Sequence, residues 1–434
     1  FYHDEITGLP NRTYWRELVR MYLEASKDRA EAVGFSVMCV DLDNFKDVND
    51  ALGYSAGDAV LVEAAARLRV CLRSHDVIGR LGGDEFAVLL PDLRDAGEIR
   101  LVANRLLEKL RAPFGVRERN FDLGGSIGIA CYPEHGGSVE ELLQHADVAL
   151  HRAKRDGRNC HRVYVPEMAD QNDQRRGMKQ AILRALAADE FALYYQPLLD
   201  LRTGRCDGAE ALIRWNDPEK GLVMPGHFIG LAEETDLMPG IGRWTYEAAA
   251  KQIRAWNRVG RRVQVSLNAS VKQLQDPDFF AHLYDTLRFN DVSPDQVKLE
   301  VTESVALDDV GMAKEILTRA RRIGVRTVLD DFGTDYSSLT YLQKLPIDEI
   351  KIDMSFVRNL PDSEHDAAIV RGVIALGHDL NRTIVAEGVE TVAQLEWLRK
   401  ANCDIIQGYL LERPMPAHKF ERWRDVQVPY ALAT

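Results

Sequence analysis

The sequence predicts two α/β domains in succession, the second of them a (β/α)8 barrel. Three observations indicate this fold class. The chain has 434 residues, which is too long for one ordinary domain and fits a small unit followed by a barrel-sized one. Strand and helix signals alternate in both halves. A polar stretch at residues 166–176 lacks apolar periodicity and separates the two halves.

The composition is typical of a soluble globular protein, with 46% hydrophobic and 28% charged residues. The sequence contains neither an apolar run of about 18 residues nor a signal peptide, so we expect a cytoplasmic protein with no membrane contact within this chain. The net charge of −12 argues against a nucleic-acid binder. A phosphate-bearing substrate is still allowed, because metal ions can reverse the sign of an acidic pocket.

The first domain is expected to span residues 1–165. Apolar runs predict its strands and helical spacing predicts its helices. Gly82-Gly83 predicts a tight hairpin, because glycine adopts a positive φ at no steric cost. The predicted elements are a strand at 35–40, a helix at 58–72, two strand halves at 81–90, a strand at 124–130 and a helix at 138–154.

The second domain is expected over residues 178–425, after a linker at residues 166–177 that is predicted to be helical. Short apolar strands alternate in it with helical segments. Eight strands over about 250 residues are typical of a (β/α)8 barrel, and an open doubly wound sheet is the alternative. The predicted strands lie at 191–196, 206–215, 263–268, 297–303, 325–331, 349–353, 383–387 and 404–406.

Acidic and amide side chains lie within or at the ends of six of these strands. In a parallel barrel the strand ends share one face, where active sites are built. Five carboxylates there would repel one another unless two divalent cations countered them, and oxygen ligands suit Mg²⁺ or Mn²⁺. The alternative is that these polar residues simply cap buried strands, but this explains poorly why six strands all carry them. The five carboxylates are Glu210, Glu300, Asp330, Asp331 and Glu387, and Asn268, Lys351 and Asp353 lie at neighbouring ends.

The Gly82-Gly83 hairpin is a second candidate site, although an ordinary hairpin is the alternative. Asp41 closes the strand at 35–40, so it could share a metal with Asp84 across neighbouring strands. Lys154 and Arg158, four residues apart, have side chains suited to triphosphate oxygens. Asn49 and Asp58 flank a predicted loop with Gly53 and Gly57.

The second half resembles the EAL-type cyclic di-GMP phosphodiesterases over nearly all of residues 178–420. Its motifs follow the family's order and spacing. They are Glu210-Ala211-Leu212-Ile213-Arg214-Trp215, Tyr194-Tyr195-Gln196-Pro197, Leu299-Glu300-Val301-Thr302-Glu303-Ser304, Asp330-Asp331-Phe332-Gly333-Thr334, Lys351-Ile352-Asp353 and Ala386-Glu387-Gly388-Val389-Glu390. The sequence departs from the family at Asp335, which replaces a glycine, and at Leu411-Glu412.

This resemblance implies hydrolysis of cyclic di-GMP to linear pGpG with two Mg²⁺ or Mn²⁺ ions. One ion would be bound by Glu210, Asn268, Glu300 and Asp330, and the other by Asp330, Asp331 and Glu387. Lys351 matches the residue that orients or deprotonates the attacking water, and as a base it needs a depressed pKa. Further matches are Gln196, Leu212, Arg214, Asp353 and Gln407 for substrate binding, and Glu303 and Glu390 for fixing the loop after Asp331.

The first half resembles the GGDEF diguanylate cyclases over about residues 4–165. The motifs are Gly82-Gly83-Asp84-Glu85-Phe86, Ile6-Thr7-Gly8-Leu9-Pro10-Asn11-Arg12, Asp41-Leu42-Asp43-Asn44-Phe45-Lys46 and Ser126-Ile127-Gly128-Ile129-Ala130. The resemblance implies a GTP site with Mg²⁺. In that site, Asp41 and Asp84 would bind the metal, and Asp84 would also help to activate the 3′-hydroxyl. Asn49 and Asp58 would read guanine. The phosphates would be contacted by Lys46, Lys154 and Arg158, and Gly82 and Gly83 would let the backbone approach the nucleotide closely.

Arg73 and Asp76 match the family's inhibitory product site, and an exposed ion pair at a helix end is the alternative. Tyr54 stands where the family often has histidine. Such a cyclase domain binds one GTP although its product needs two, so the resemblance implies a homodimer. We also expect a sensor or membrane region upstream of this fragment.

Three functions follow from these features. The first is an active phosphodiesterase. The second adds a GGDEF domain that makes cyclic di-GMP or that senses GTP and stimulates the other half. The third is a catalytically silent receptor or scaffold for cyclic di-GMP and GTP, which the intact motifs disfavour.

Overall fold

The computed structural model describes residues 2–27, 34–93, 95–116, 119–333 and 342–427. The chain divides into two compact units, Phe1–Arg176 and Gly177–Thr434. One helix, Pro166–Ala187, contains the whole of the predicted linker. None of the helices in the described ranges is both long and apolar enough to cross a bilayer.

The first unit is a five-stranded sheet with helices on both faces. Its elements are α1 (Arg12–Lys27), β1 (Phe35–Leu42), α2 (Phe45–Leu52), α3 (Tyr54–Val70), β2 (Val77–Gly82), β3 (Glu85–Leu90), α4 (Ala96–Arg111), β4 (Phe114–Val116), β5 (Arg119–Phe121), β6 (Gly125–Tyr132), α5 (Val139–Arg155) and β7 (His161–Val163). The strand order is β2-β3-β1-β6-β7, and β4 and β5 form a separate ribbon.

Alternation along β1 sends its side chains into two cores, since successive strand residues point to opposite faces. Val37 and Cys39 pack with α1 and α5, whereas Met38 and Val40 pack with α2, α3 and α4. Both faces of the central strand are therefore buried, and the polar residue Asp41 lies near its carboxyl end.

Two boundaries in the first unit differ from the prediction. The helix predicted from residue 58 begins at Tyr54, so Gly57 and Asp58 are helical and only Gly53, at φ +81°, lies in the break between α2 and α3. Gly57 has a packing role instead, because a Cβ there would lie 2.1 Å from Asn49 Oδ1. The strand predicted from residue 81 begins at Val77.

The second unit is a barrel surrounded by helices. Its elements are α6 (Pro166–Ala187), β8 (Phe191–Asp200), β9 (Gly208–Asp217), β10 (Gly221–Val223), α7 (Ile229–Glu234), α8 (Met238–Arg258), β11 (Gln264–Asn268), α9 (Val271–Leu274), α10 (Phe279–Phe289), β12 (Val297–Thr302), α11 (Glu303–Asp308), α12 (Val310–Arg322), β13 (Arg326–Phe332), β14 (Glu349–Ile352), α13 (Met354–Val357), α14 (Glu364–Asp379), β15 (Thr383–Ala386), α15 (Val392–Lys400), β16 (Ile405–Ile406), β17 (Met415–Pro416) and α16 (Ala417–Gln427).

Eight strands close the barrel, which confirms the TIM-like prediction. They run in the order β8, β9, β11, β12, β13, β14, β15 and β16, and β16 pairs again with β8. Strand β9 and strands β11 to β16 are mutually parallel, whereas β8 is antiparallel to both of its barrel neighbours. The prediction of an all-parallel barrel is therefore wrong at the first strand.

The reason is the short connection between Asp200 and Gly208. A parallel crossover needs a dozen or more residues, whereas an antiparallel pair needs only a turn. The Asp200 carboxylate accepts hydrogen bonds from the backbone N–H groups of Arg202 and Thr203, at 2.9 and 2.7 Å. Gly204 continues the turn at φ +68°.

Parallel register brings the polar strand ends together. Asn268 pairs with Glu300 across β11 and β12, and Thr302 pairs with Asp330 across β12 and β13. Glu303, predicted to end a strand, is instead the first residue of α11. The carboxyl ends of β9 and β11 to β15 thus form one polar face next to the apolar core of the barrel.

Candidate active sites

Lys351, on β14, lies at the centre of the barrel site and is 1% exposed. Carboxylates from β9, β12 and β13 and from the residue that follows β15 surround its ammonium group. A single cation thus contacts four anionic side chains from four other regions of the chain. The Lys351 Nζ atom lies 2.6 Å from Glu387 Oε1, 3.0 Å from Glu300 Oε2, 3.2 Å from Asp330 Oδ1 and 3.4 Å from Glu210 Oε2.

Burial and the close charges shift the pKa values of Lys351 and Glu387. Burial acts to lower the pKa of Lys351, but the surrounding carboxylates raise that pKa well above its usual value. Burial raises the pKa of Glu387 to about 8, although Lys351 acts in the opposite direction. Lys351 is therefore an ammonium here, and its neighbours shift its pKa away from the depressed value that a general base needs.

The donor set fits hard divalent cations. Carboxylate oxygens of Asp330, Asp331 and Glu387 lie within 4.8 Å of one another. Asn268 Nδ2 donates to Glu210 Oε1 at 2.8 Å, and Asn268 is the register partner of Glu300. Mg²⁺ and Mn²⁺ prefer oxygen ligands of this kind. Of the two ligand sets expected from the sequence, the structure brings together the oxygens of Asp330, Asp331 and Glu387, whereas Glu210 and Glu300 contact Lys351.

Glu303 supports the segment that follows Asp331. Its side chain is fully buried, and its Oε2 accepts a hydrogen bond from the Gly333 N–H at 2.7 Å. Asp331 has a φ of +56°, in the left-handed region that residues other than glycine rarely adopt. The position of its carboxylate therefore depends on contacts that hold the backbone in this conformation. Glu390 is exposed, and its N–H donates to Gln394 Oε1 at 2.7 Å. Asp335 lies outside the described residues.

Two glutamines link the substrate-binding positions to Glu210. Gln407 Nε2 donates to Glu210 Oε2 at 2.6 Å and to Gln196 Oε1 at 2.9 Å. Gln196 faces Glu210 directly in the β8–β9 register. Gln407 thus contacts one oxygen of the Glu210 carboxylate, which Lys351 also contacts at 3.4 Å, while Asn268 donates to the other oxygen.

Arg214 is also a buried cation, at 5% exposed. Its guanidinium lies 5.5 Å from the centre of the Tyr194 ring and donates to the Ile213 carbonyl at 2.8 Å. Burial lowers the pKa of Arg214 from its usual value. Asp353 accepts from the Ser355 N–H at 2.9 Å and so caps α13.

A cavity of about 800 Å³ opens beside the carboxylates, within the size range of small-molecule sites. Leu212, Ile213, Asn268, Glu300 and Thr302 are among its lining residues. Among the carboxylates around Lys351, it is Glu300 that borders the cavity.

The hairpin site of the first unit is held by Asp41. Its Oδ2 lies 2.7 Å from Lys154 Nζ. Burial raises the pKa of the Asp41 carboxyl to about 6, with Lys154 opposing the shift and Asp84 adding to it. The Leu42 N–H donates to the Asp84 carbonyl, so the strand end and the hairpin are neighbours. Gly82 and Gly83 have φ values of +143° and +54°, which glycine adopts without strain.

Arg80 was not predicted from the sequence as a residue of this site. It is 8% exposed and donates to both oxygens of Asp4, at 3.0 and 2.9 Å. Its Nε and Nη2 atoms also donate to the Gly83 carbonyl at 3.0 and 2.7 Å. Arg80 therefore fastens the hairpin to the start of the domain. Because its partner Asp4 is distant in the sequence, no local sequence pattern identifies Arg80.

The remaining predicted nucleotide contacts lie on the surface of the first unit. Lys46, Asp58 and Arg158 are exposed, and Asn49 is half-buried against Gly57. Arg158 follows the end of α5 at φ +60°, so it does not share a helical face with Lys154.

At the predicted product site, the chain forms a turn. Arg73 is exposed, and its backbone N–H donates to Asp76 Oδ2 at 2.7 Å. The Asp76 carboxylate thereby caps the turn before β2.

Comparison with known families now identifies both units. The diguanylate cyclase GGDEF domain model matches residues 1–160, and the EAL domain model matches residues 179–414. A bifunctional diguanylate cyclase/cyclic di-GMP phosphodiesterase, MucR of Pseudomonas aeruginosa, is 39% identical over 96% of this chain and 61% of its own length. The cyclic di-GMP phosphodiesterase NbdA of the same organism is 37% identical over 97% of this chain and 54% of its own.

Another relative is the cyclic di-GMP phosphodiesterase PdeR of Escherichia coli, 36% identical over 97% of this chain and 63% of its own. The chain thus spans between about half and two thirds of the length of these relatives. Among solved structures, a MucR phosphodiesterase in complex with cyclic di-GMP is 41% identical, with a TM-score of 0.54 over 56% of this chain and 99% of its own. The chain belongs to the family of proteins in which a GGDEF domain precedes an EAL domain.

Proposed function

We propose that the barrel hydrolyses cyclic di-GMP to linear pGpG with divalent cations bound to its carboxylates. The observation that carries this proposal is the convergence of three buried carboxylates and the half-buried Glu387 on the Lys351 ammonium, with Glu300 also lining a cavity. Similar proteins are named cyclic di-GMP phosphodiesterases, and a similar structure holds that nucleotide.

The cations would be Mg²⁺ or Mn²⁺, held by two overlapping ligand sets. The first is Asp330, Asp331 and Glu387, and the second is Glu210, Asn268, Glu300 and Asp330. When bound, such a pair activates water and stabilises the oxygens of an in-line phosphoryl displacement.

The protein's own side chains would bind and orient the substrate around that pair. The Lys351 ammonium donates hydrogen bonds and so orients the water oxygen at the scissile phosphate. Arg214, already buried against Tyr194, offers a guanidinium to a phosphate with little loss of conformational entropy. Gln196 and Gln407 fix the Glu210 carboxylate and present amides to the substrate. Leu212, which lines the cavity, and Asp353, two residues after Lys351, are the further proposed substrate contacts.

The test is nucleotide chromatography after the full chain is incubated with cyclic di-GMP and Mg²⁺ or Mn²⁺. We expect pGpG from the native chain, none from Glu210→Gln and none with EDTA. Glu396→Gln, an exposed position of α15, is the matched control and should behave as the native chain does. Cyclic di-GMP that survives with both metals contradicts the proposal, and tight binding without turnover would indicate a silent receptor.

For the first unit we propose GTP binding with Mg²⁺ at Asp41 and Asp84, in a homodimer that synthesises cyclic di-GMP or regulates the barrel. The support is the adjacency of Asp41 to the glycine hairpin. With the barrel disabled by Glu210→Gln, conversion of GTP to cyclic di-GMP indicates a cyclase. A GTP sensor would instead raise the native rate of hydrolysis without consuming GTP. Asp84→Asn should abolish either effect.

A further inference from the structure

Gln394, in the first turn of α15, uses the full hydrogen-bonding capacity of its amide while only 4% exposed. Its Oε1 accepts from the N–H groups of Glu390 and Thr391, at 2.7 and 2.9 Å. Its Nε2 donates to the carbonyls of Val357 and Arg358, at 3.2 and 3.1 Å. Since an amide offers two lone pairs and two N–H bonds, it has no further capacity. Gln394 joins the segment after β15 to the end of α13.

The two segments that it joins carry Glu387 and Lys351. Glu390 follows Glu387 by three residues, and α13 begins three residues after Lys351. Between them, Gly388 packs so closely on α13 that a Cβ there would lie 2.5 Å from the Met354 Cβ atom. The Gln394 bridge and this contact together fix the Glu387 carboxylate 2.6 Å from Lys351 Nζ.

Gln273 repeats this arrangement at another strand of the barrel. It is 4% exposed in the first turn of α9, and its Oε1 accepts from the Ser270 N–H at 2.8 Å. Its Nε2 donates to the Met238 carbonyl at the start of α8, at 3.1 Å. A Cβ at Gly242 would lie 2.2 Å from that nitrogen, so glycine makes room for the bridge. Ser270 follows Asn268 by two residues, so the bridge anchors the end of β11.

We infer that Gln273 and Gln394 are positioning residues that set where Asn268 and Glu387 lie and thereby set the barrel's affinity for its cations. This inference rests on the proposed function. Both glutamines occupy the third helical position of a capping box. Glutamate serves that capping role equally well, because only an acceptor is needed. The bridge to the neighbouring segment requires glutamine, because a carboxylate would face carbonyl oxygens there.

Substitution by glutamate therefore separates the bridge from the helix cap. In Gln394→Glu the acceptor for Glu390 and Thr391 is kept, whereas donation to Val357 and Arg358 is lost. Thr391→Ala is the matched control, because it removes the threonine half of the same capping box and leaves all four amide bonds of Gln394 in place.

The experiment titrates the full chain with Mn²⁺ and measures free Mn²⁺ by electron paramagnetic resonance, a readout independent of activity. We expect Gln394→Glu and Gln273→Glu to bind Mn²⁺ about 10–100-fold more weakly, as is typical when a partner of a metal ligand is lost. Thr391→Ala should stay within about twofold of the native affinity. The Mn²⁺ concentration needed for half-maximal hydrolysis should shift by the same factor.

A purely structural role predicts a lower melting temperature with native Mn²⁺ affinity in the folded variants, and that result overturns the inference. If Gln394→Glu does not fold, Gln273→Glu decides the question in the same titration. If the native chain neither binds Mn²⁺ nor hydrolyses cyclic di-GMP, the proposed function fails together with this inference. Native binding and turnover with unaffected variants would refute the positioning role alone.

Discussion

The barrel site and the hairpin site differ in how their acidic side chains are held. In the barrel, Lys351 contacts four carboxylates, and further amides fix Glu210. In the hairpin unit, Asp41 pairs with Lys154, and Lys46 is exposed. The barrel therefore fixes the positions of its carboxylates through contacts within one fold. The hairpin offers Asp41 and bare backbone, so the geometry of the proposed nucleotide site would depend more on the nucleotide itself.

This difference should also affect the free energy of unfolding. Buried carboxylates are stable only when they are paired, because desolvation strongly penalises an isolated charge. Lys351 provides that pairing at the centre of the barrel. Removing a pairing partner should therefore affect the barrel more than the hairpin, and the predictions follow in that order.

The largest effect is expected for Lys351→Met, which leaves the carboxylates around it without their ammonium. Breaking a buried ion pair typically costs about 3–5 kcal/mol. We expect a loss of that size in metal-free buffer, measured by urea unfolding, together with loss of hydrolysis. Mn²⁺ should restore much of the stability and none of the activity. A variant as stable as the native chain without metal would contradict this account of the site.

A smaller effect is expected for Glu303→Ala, which removes the acceptor for the Gly333 N–H. We expect metal affinity to fall about 10–100-fold, because Asp331 lies two residues before Gly333. Glu303→Gln retains an acceptor oxygen and is the matched control. Calorimetric titration with Mn²⁺ measures both variants, and equal losses in the two would show that the hydrogen bond to Gly333 is not the cause.

The smallest effect concerns pH and the hairpin. The pKa of Asp41 is about 6 in the folded chain against an ordinary value of 3.8, so the folded state keeps a proton that the unfolded state loses. Stability from this group is complete below pH 3.8 and is lost as the pH rises to about 6.

Asp41→Asn cannot ionise, so above about pH 6 it should unfold at a higher temperature than the native chain. The difference should shrink as the pH approaches 4. Thermal unfolding in EDTA from pH 4 to pH 8 measures it, with the exposed Asp58→Asn as the matched control. A difference that grows toward low pH would contradict the raised pKa.

Much of the barrel was predictable because its strands are short apolar runs and its ligands lie at their ends. The antiparallel first strand was missed, although the short Asp200–Gly208 connection leaves no room for a crossover. Ser270-x-x-Gln273 and Thr391-x-x-Gln394 are visible capping-box patterns that could have pointed to the bridging glutamines. The raised pKa of Lys351 could not be read from the sequence, because it depends on four carboxylates meeting in space.

The most direct test of the account is anomalous diffraction from crystals of the full chain grown with Mn²⁺ and cyclic di-GMP, using Lys351→Met to stop turnover. We expect two Mn²⁺ peaks that share Asp330, one beside Asp331 and Glu387 and the other beside Asn268 and Glu300. The substrate phosphate should lie next to both. Absence of Mn²⁺ from these oxygens, with the nucleotide bound elsewhere, would contradict the claim that this cluster is the hydrolytic centre.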